Sequence, residues 1–390
     1  MQSASDPSPS ALQEFLEDYW DMLAGSLFAG LALLFHLSHQ PYLATLFAGL
    51  GIAAFSFTVS EIAEILAERL QEPYASFVLT FSAVAVEILL LFMILMESSH
   101  GTHALETVKG GIISAVIVDM NVLLGIAVFV GGLRFKEQEH NEDTSSTYTT
   151  ILLVASVMLL VPSLLQYSSG DSGSLMTASY IIAALLMFYY VTIFIFQTKT
   201  HIHFFKATAR SRIFRLRRKR AEQNGDEGEE HDDDYIFEKL PNVANFFAIF
   251  GLIFLIGIIA EIFASDGMQI ANDYGVSAAL AGLVIAIISV SPELFTAVKA
   301  AKSDQIQRVV NIAMGASTVS ILLTVPILMI LAPFAGVQLA LDFNSLQIGA
   351  LILTVILAWK TTDNGETNYV EGISHLMFFF AYAVIAAFYH

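Results

Sequence analysis

The chain has 390 residues, 56% of them hydrophobic and 14% charged, with a formal net charge of -18 and no cysteine. It is far more apolar than a soluble domain of this size, and its acidic balance argues against nucleic acid as a partner. The lack of cysteine excludes disulfides, a thiol nucleophile and thiolate metal sites.

The apolar residues come in blocks near the roughly 20 that a helix needs to cross about 30 Å of hydrocarbon, and they do not alternate as barrel strands would. In chain order they predict spans over 22–37, 42–67, 73–96, 107–133, 148–167, 177–197, 243–264, 277–300, 307–333, 343–361 and 371–388. The fold class is therefore an all-α polytopic membrane protein, with the lipid bilayer as its first partner. The first span is short and interrupted by His36. Met1 to Trp20 carries acids and no Lys or Arg, the reverse of a signal peptide's basic start, so no cleavable signal is expected.

The loop from Thr198 to Asn242 opens with the basic stretch Lys199 to Arg220 and closes with a run from Asp226 to Asp234 in which seven of nine residues are acidic. Two readings are open for it. It is a solvated linker whose basic part lies on anionic headgroups, or a low-affinity divalent-cation sensor without EF-hand spacing. If this loop is cytoplasmic, strict alternation of the spans puts every Lys and Arg except Lys109 on the cytoplasmic side. The N-terminus is then inside and the C-terminus outside. Lys109 and Lys299 fall near span ends, where they can snorkel to water.

The chain divides into 1–40 (N-terminus and extra span), 41–197 (five spans), 198–242 (linker) and 243–390 (five spans). Five is odd, so the second half enters the membrane from the opposite direction, and a repeat between the halves must be inverted. Ala63 to Ala67, AEILA, recurs as AEIFA at Ala260 to Ala264. Tyr74 to Glu87 aligns without a gap to Leu280 to Glu293, which sets a glutamate at the same place in each half.

An ionised carboxylate inside a span costs at least about 2.5 to 3.5 kcal/mol on insertion scales. Glu87 and Glu293 must therefore take up a proton, pair with a base or bind a cation. The span interiors supply no obvious Lys or Arg. Proton and cation remain, and a site that alternates between them is the minimal machine for antiport. Ser289 lies one turn before Glu293 and Thr80 two turns before Glu87, each on its glutamate's face. Pro292 leaves the Ile288 carbonyl without its usual donor, and local opening there would offer it to a cation. Ser291, Ser317 and Thr318 add neutral oxygens, and Asp119 and Asn121 are unusual polar residues for their depth. All are hard donors suited to Ca²⁺ or Na⁺ as transported ions, with no resident cofactor. Serines in membrane helices also bond back to their own helix, and a buried glutamate can be protonated between helices, so a purely structural reading stands beside each. Glu64 and Glu261, like Glu61, lie near span ends as vestibule candidates, and His100 and His103 as outside residues able to sense pH.

Two stretches resemble a known family. Glu68 to Leu95, ERLQEPYASFVLTFSAVAVEILLLFMIL, is similar to the first signature region of ChaA-type calcium/sodium:proton antiporters, a branch of the calcium/cation antiporter superfamily. Ser291 to Ile327 resembles the second, and QTKTH at Gln197 to His201 before an acidic loop is a further likeness. The resemblance implies an extra N-terminal helix plus a ten-helix inverted-repeat core and proton-coupled cation export across a prokaryotic cytoplasmic membrane. It also implies that Glu87 and Glu293 are the central cation and proton carboxylates and that spans 42–67 and 243–264 slide to alternate access. The wider calcium:proton exchangers carry a Gly-Asn pair before the glutamate. This chain has Ala83 and Val84 in one half and Ser291-Pro292 in the other.

Other readings are a sodium- or potassium-selective proton antiporter, a cation channel and an intramembrane hydrolase. The last finds no His-Glu-x-x-His, paired aspartates or Ser-His pair in the spans. The residues leave Ca²⁺, Na⁺, K⁺ and the oligomeric state open. A reporter fused after His390 should be active only outside the cytoplasm and one inserted near Gly225 only inside; activity of both on one side would refute the inverted arrangement.

Overall fold

The computed structural model describes residues 11–70, 74–100, 102–169, 172–201 and 236–388. Most of the basic stretch and all of the acidic run, with both readings of the loop, fall outside the described residues. Eleven described helical stretches are long and apolar enough to cross a membrane. They are α1 (Ala11–Leu37), α2 (Pro41–Arg69), α3 (Tyr74–Met96), α4 and α5 (Thr102–Ile117 and Leu124–Phe135), α6 (Glu142–Ser169), α7 (Ser172–Ile195), α9 (Asn242–Tyr274), α10 (Ala278–Lys302), α11 and α12 (Ile306–Val319 and Val325–Leu331), α13 (Ser345–Thr362) and α14 (Tyr369–Phe388). A short helix α8 (Ile236–Lys239) precedes α9.

Helix ends differ from the apolar blocks where polar residues carry the helix onward. The predicted span 243–264 is part of a 33-residue helix, because Ser265, Asp266 and the residues after them stay helical until Gly275. Gly275 adopts a left-handed conformation, φ 62°, and its N–H bonds the Ala271 carbonyl, the usual glycine stop. At the start of α6 the Asn141 side chain accepts from the N–H groups of Asp143 and Thr144, so the helix begins six residues before the predicted span at 148.

The third span of each half departs from a regular helix near its middle. A π-turn over Val118–Leu123 joins α4 to α5, and a π-turn over Ser320–Thr324 joins α11 to α12. Such turns widen the hydrogen-bond ring and recur at functional sites.

α2 packs along α9, and α1 lies against both. Asp21 of α1 accepts from the Thr58 hydroxyl of α2, and His36 Nδ1 of α1 lies 2.9 Å from Asp266 Oδ2 of α9. Two crossings bring backbones into direct contact. A Cβ added at Gly282 of α10 would collide with the Gly110–Gly111 backbone of α4, and one added at Gly372 of α14 would collide with Phe129 of α5. Small residues of this kind let membrane helices gain dispersion contacts that lipid cannot outbid.

One end of the bundle is tied by polar contacts. Arg69 donates to the Leu240 carbonyl, Arg308 pairs with Glu64 at 2.9 Å, and Gln138 donates to Ala301 O and Asp304 Oδ1. A two-stranded antiparallel ribbon, β1 (Glu137–Glu139) with β2 (Glu366–Asn368), lies there too. Lys109 is at the opposite end, so the described basic residues segregate as alternation requires. Lys109 does not snorkel, however. Its side chain is only 5% exposed and pairs with Glu106 at 2.8 Å and Asp342 at 2.6 Å. Asp342 reaches it because the segment after Gly336 runs back into the bundle without forming a helix. There Ser163 Oγ donates to Leu341 O and accepts from Phe343 N–H, while Ser179 Oγ accepts from Leu341 N–H.

The backbone contact at Gly282 gives a stability test. Gly282→Ala should destabilise the folded protein by about 1–3 kcal/mol through overpacking, seen as a lowered thermal midpoint in detergent. Gly349→Ala in α13, where an added Cβ meets nothing within 4 Å, should leave it unchanged.

Candidate functional site

Glu87 enters from α3, Glu293 from α10 and Asp119 from the first π-turn. The crossing of α10 over α4 draws Glu293 towards the third span, and the contacts of α3 with the second π-turn bring Glu87 to the hydroxyls there. Ser320 Oγ donates to Glu87 Oε2 at 2.8 Å and Thr324 Oγ1 donates to the same oxygen at 3.2 Å. Ser317 Oγ donates to Asp119 Oδ2 at 3.1 Å. Each glutamate or aspartate keeps one buried oxygen without a protein donor: Glu87 Oε1, Asp119 Oδ1 and Glu293 Oε2.

The three side chains lie close enough for their charges to interact. Asp119 feels both Glu87 and Glu293, and Glu293 feels Glu87. The ion pairs found among the described residues all lie elsewhere, so no Lys or Arg neutralises the cluster. The acids are gathered rather than converged, since no three His, Asp or Glu side chains among the described residues come within reach of one metal ion. Beside Glu293 lies a cavity of about 30 Å³ lined by Ser56 and Ser60 of α2, Ser82 of α3, and Ser289 and Pro292 of α10. This is room for a water or a dehydrated ion. Ser56, Ser60 and Ser82 lie on the halves of their helices nearer the Arg69 end, so the cavity approaches Glu293 from that end.

The other polar residues expected at the site go to several places. Ser317 is at the cluster, and Thr318 is buried beside it with its hydroxyl oxygen unpartnered. Ser289 lines the cavity but bonds back to Ala286 O. Thr80 meets the Tyr190 hydroxyl of α7. The expected opening at Pro292 does not occur: α10 runs through it, and the Ile288 carbonyl it frees accepts from Ser291 Oγ at 2.7 Å. That serine answers the proline within one turn. Asn121 faces away from the acids, donating to Thr354 Oγ1 and accepting from His375 Nδ1. Glu64 pairs with Arg308, Glu261 is exposed on α9, and His103 Nε2 lies 2.9 Å from the Val276 carbonyl.

Sequence reasoning missed Ser320, Thr324 and His375. The first two carried a signal, because Ser317, Ser320 and Thr324 follow one another at three and four residues, a hydroxyl stripe on one helix face. His375 sits in an apolar helix with nothing in its neighbours to mark its partners.

An eleven-span bundle that gathers acids without basic partners is suited to carrying cations across a membrane. The comparisons with known proteins narrow that class. A family model described as sodium/calcium exchanger protein matches residues 41–199 and 244–388, and the chain belongs to that family, within the calcium/cation antiporter superfamily. It is 27% identical over 339 residues to the sodium-potassium/proton antiporter ChaA of Escherichia coli (strain K12), covering 86% of this chain and 87% of that one. It is 24% identical over 372 residues to the Ca²⁺/H⁺ antiporter of Aphanothece halophytica, covering 93% and 95%. The solved structure of native YfkE has the same fold, with a TM-score of 0.74 at 18% identity over 94% of this chain and 99% of that one. The matched region begins at residue 41, so α1 lies outside what the family model matches.

A hydrogen bond to a charged group contributes about 1.5–3 kcal/mol. Ser320→Ala should therefore change the half-saturating cation concentration of transport about tenfold or more, measured in proteoliposomes. Ser374→Ala, whose hydroxyl bonds only Val370 O on its own helix, should not change it.

Proposed function

We propose that this protein exports a hard cation from the cytoplasm in exchange for protons, by alternating access around Glu87 and Glu293 with Asp119 as a third acid. The observation that carries the reading is the set of three mutually interacting acids, Glu87 and Asp119 buried and Glu293 half-buried, each with a buried oxygen that no protein group satisfies and none with a basic partner. A low-dielectric cluster of that kind cannot hold all its negative charge alone. Protons neutralise it in one state and a cation in the other, and because both compete for the same oxygens, loading one expels the other. That competition is the coupling.

Ca²⁺ takes six to eight oxygens and a double charge. Three acids with the hydroxyls of Ser317, Thr318, Ser320 and Thr324 supply such a set once they converge, so Ca²⁺ is the first cation to test, with Na⁺ and K⁺ next. The antiport named for the relatives in Escherichia coli and Aphanothece halophytica supports proton exchange with these ions. In this reading the halves 41–197 and 243–390 are the inverted repeats, joined by a cytoplasmic linker at 198–242 in a prokaryotic inner membrane. The packed pair α2 and α9 then slides to change which side reaches the site, and the serine-lined cavity is the cytoplasmic approach to Glu293.

Proteoliposomes given Ca²⁺, Na⁺ or K⁺ against an imposed pH gradient, with an internal pH dye, test the scheme. Glu87→Gln and Glu293→Gln keep shape but remove the exchangeable charge, and each should reduce both cation flux and proton counterflow to background in folded protein. The double variant should be no worse than either, because one loss already disables the shared site. Near-normal proton-coupled exchange by either single variant would refute it.

A further inference from the structure

Behind Asp119 lies a buried polar chain that makes no contact with the acids. On the same π-turn, Asn121 Nδ2 donates to Thr354 Oγ1 of α13 at 2.9 Å. His375 Nδ1 of α14 lies 3.0 Å from Asn121 Oδ1, and His375 Nε2 lies 3.0 Å from Thr361 Oγ1 of α13. Asn121, Thr354 and His375 are fully buried. The orientation of the Asn121 amide sets the direction of the chain. With its amide nitrogen donating to Thr354, Asn121 has only its carbonyl oxygen for His375, so Nδ1 carries the ring proton. Nε2 is then the acceptor, and the Thr361 hydroxyl donates to it.

A π-turn is strained relative to an α-helix and persists only where its surroundings hold it. Relaxation of Val118–Leu123 to regular helix would rotate Asp119 away from Ser317 and the glutamates. The Asn121 side chain, bonded to two other helices, opposes this rotation. α5 and α14 are in backbone-close contact at this level, since a Cβ at Gly125 would lie 2.8 Å from His375 Cβ.

We infer that His375, in its Nδ1–H form, is a positioning residue for the cation site: it holds Asn121, and through the π-turn sets where the Asp119 carboxylate stands. This rests on the reading of Glu87, Asp119 and Glu293 as the site. Its removal should weaken cation loading without removing any ligand.

The test uses the full chain in proteoliposomes, with Ca²⁺ and with Na⁺ as the transported probes. An asparagine amide mimics the Nδ1 position of histidine and a glutamine amide the Nε2 position. His375→Asn should therefore keep the bond to Asn121 and a near-normal KM. His375→Gln and His375→Ala should raise KM about tenfold with the maximal rate within about twofold, and Asn121→Ala combined with His375→Ala should do no more than either alone. Equal effects of His375→Asn and His375→Gln, or a fall in folded yield with KM unchanged, would reduce the residue to a packing role and overturn the inference. Should the alanine variant not fold, the Asn and Gln pair decides by itself. Inactive Glu87→Gln and Glu293→Gln beside a His375→Gln of normal KM would refute only the positioning role. Active glutamate variants would instead refute the site on which it rests.

Discussion

Three acids share a water-poor interior that holds no positive side chain to meet them. The cost of that arrangement is several kcal/mol per ionised group, and the rest of the bundle is organised around keeping it tolerable. Hydroxyls from the second π-turn satisfy one oxygen of Glu87, and Ser317 satisfies one of Asp119. Full satisfaction by fixed donors would have made the cluster a structural feature. Partial satisfaction leaves it dependent on mobile charge.

The helices supply the geometry this needs. Glycine contacts at Gly282 and Gly372 let the second and fifth spans of the second half approach the third span of the first almost backbone to backbone. Polar anchors are placed at the two ends, with Arg69, Gln138 and Arg308 at one and the Lys109–Asp342 pair at the other. Between those ends the packing along α2 and α9 is almost entirely apolar, and apolar surfaces slide past one another at lower cost than hydrogen-bonded ones. α1, outside the region that the family model matches, is fastened to both α2 and α9.

The span count was legible in the sequence because the bilayer makes apolar length a direct signal, and Glu87 and Glu293 stood out in it as carboxylates inside apolar runs. The ends of α6 and α9 were not, since helices continue beyond hydrocarbon wherever a cap such as Asn141 or Gly275 permits. Pro292 shows a different limit. Its freed carbonyl was visible in the sequence, but whether the adjacent Ser291 or an ion would claim it depended on a rotamer. Asp119 and Asn121 are two residues apart and read alike as polar intrusions, yet the fold sends one to the acids and the other to His375. Hydropathy registers that both are polar. It carries nothing about azimuth across a π-turn.

A π-turn closes its ring over five residues where an α-helix uses four, so each third span contains one residue more than a straight helix of equal rise. Losing one codon within Val118–Leu123 would remove that extra residue and let the span close as regular α-helix, with the facing of α4 and α5 nearly kept. Gly125 would hold its place against His375, while Asp119 and Asn121 would lose their present azimuths. Losing one codon elsewhere in the span would instead turn everything beyond it by about 100° and set side chains where the α5–α14 crossing now meets backbone. At 33 residues the span has apolar length to spare, but it can change length without turning its far end only at the π-turn that carries Asp119.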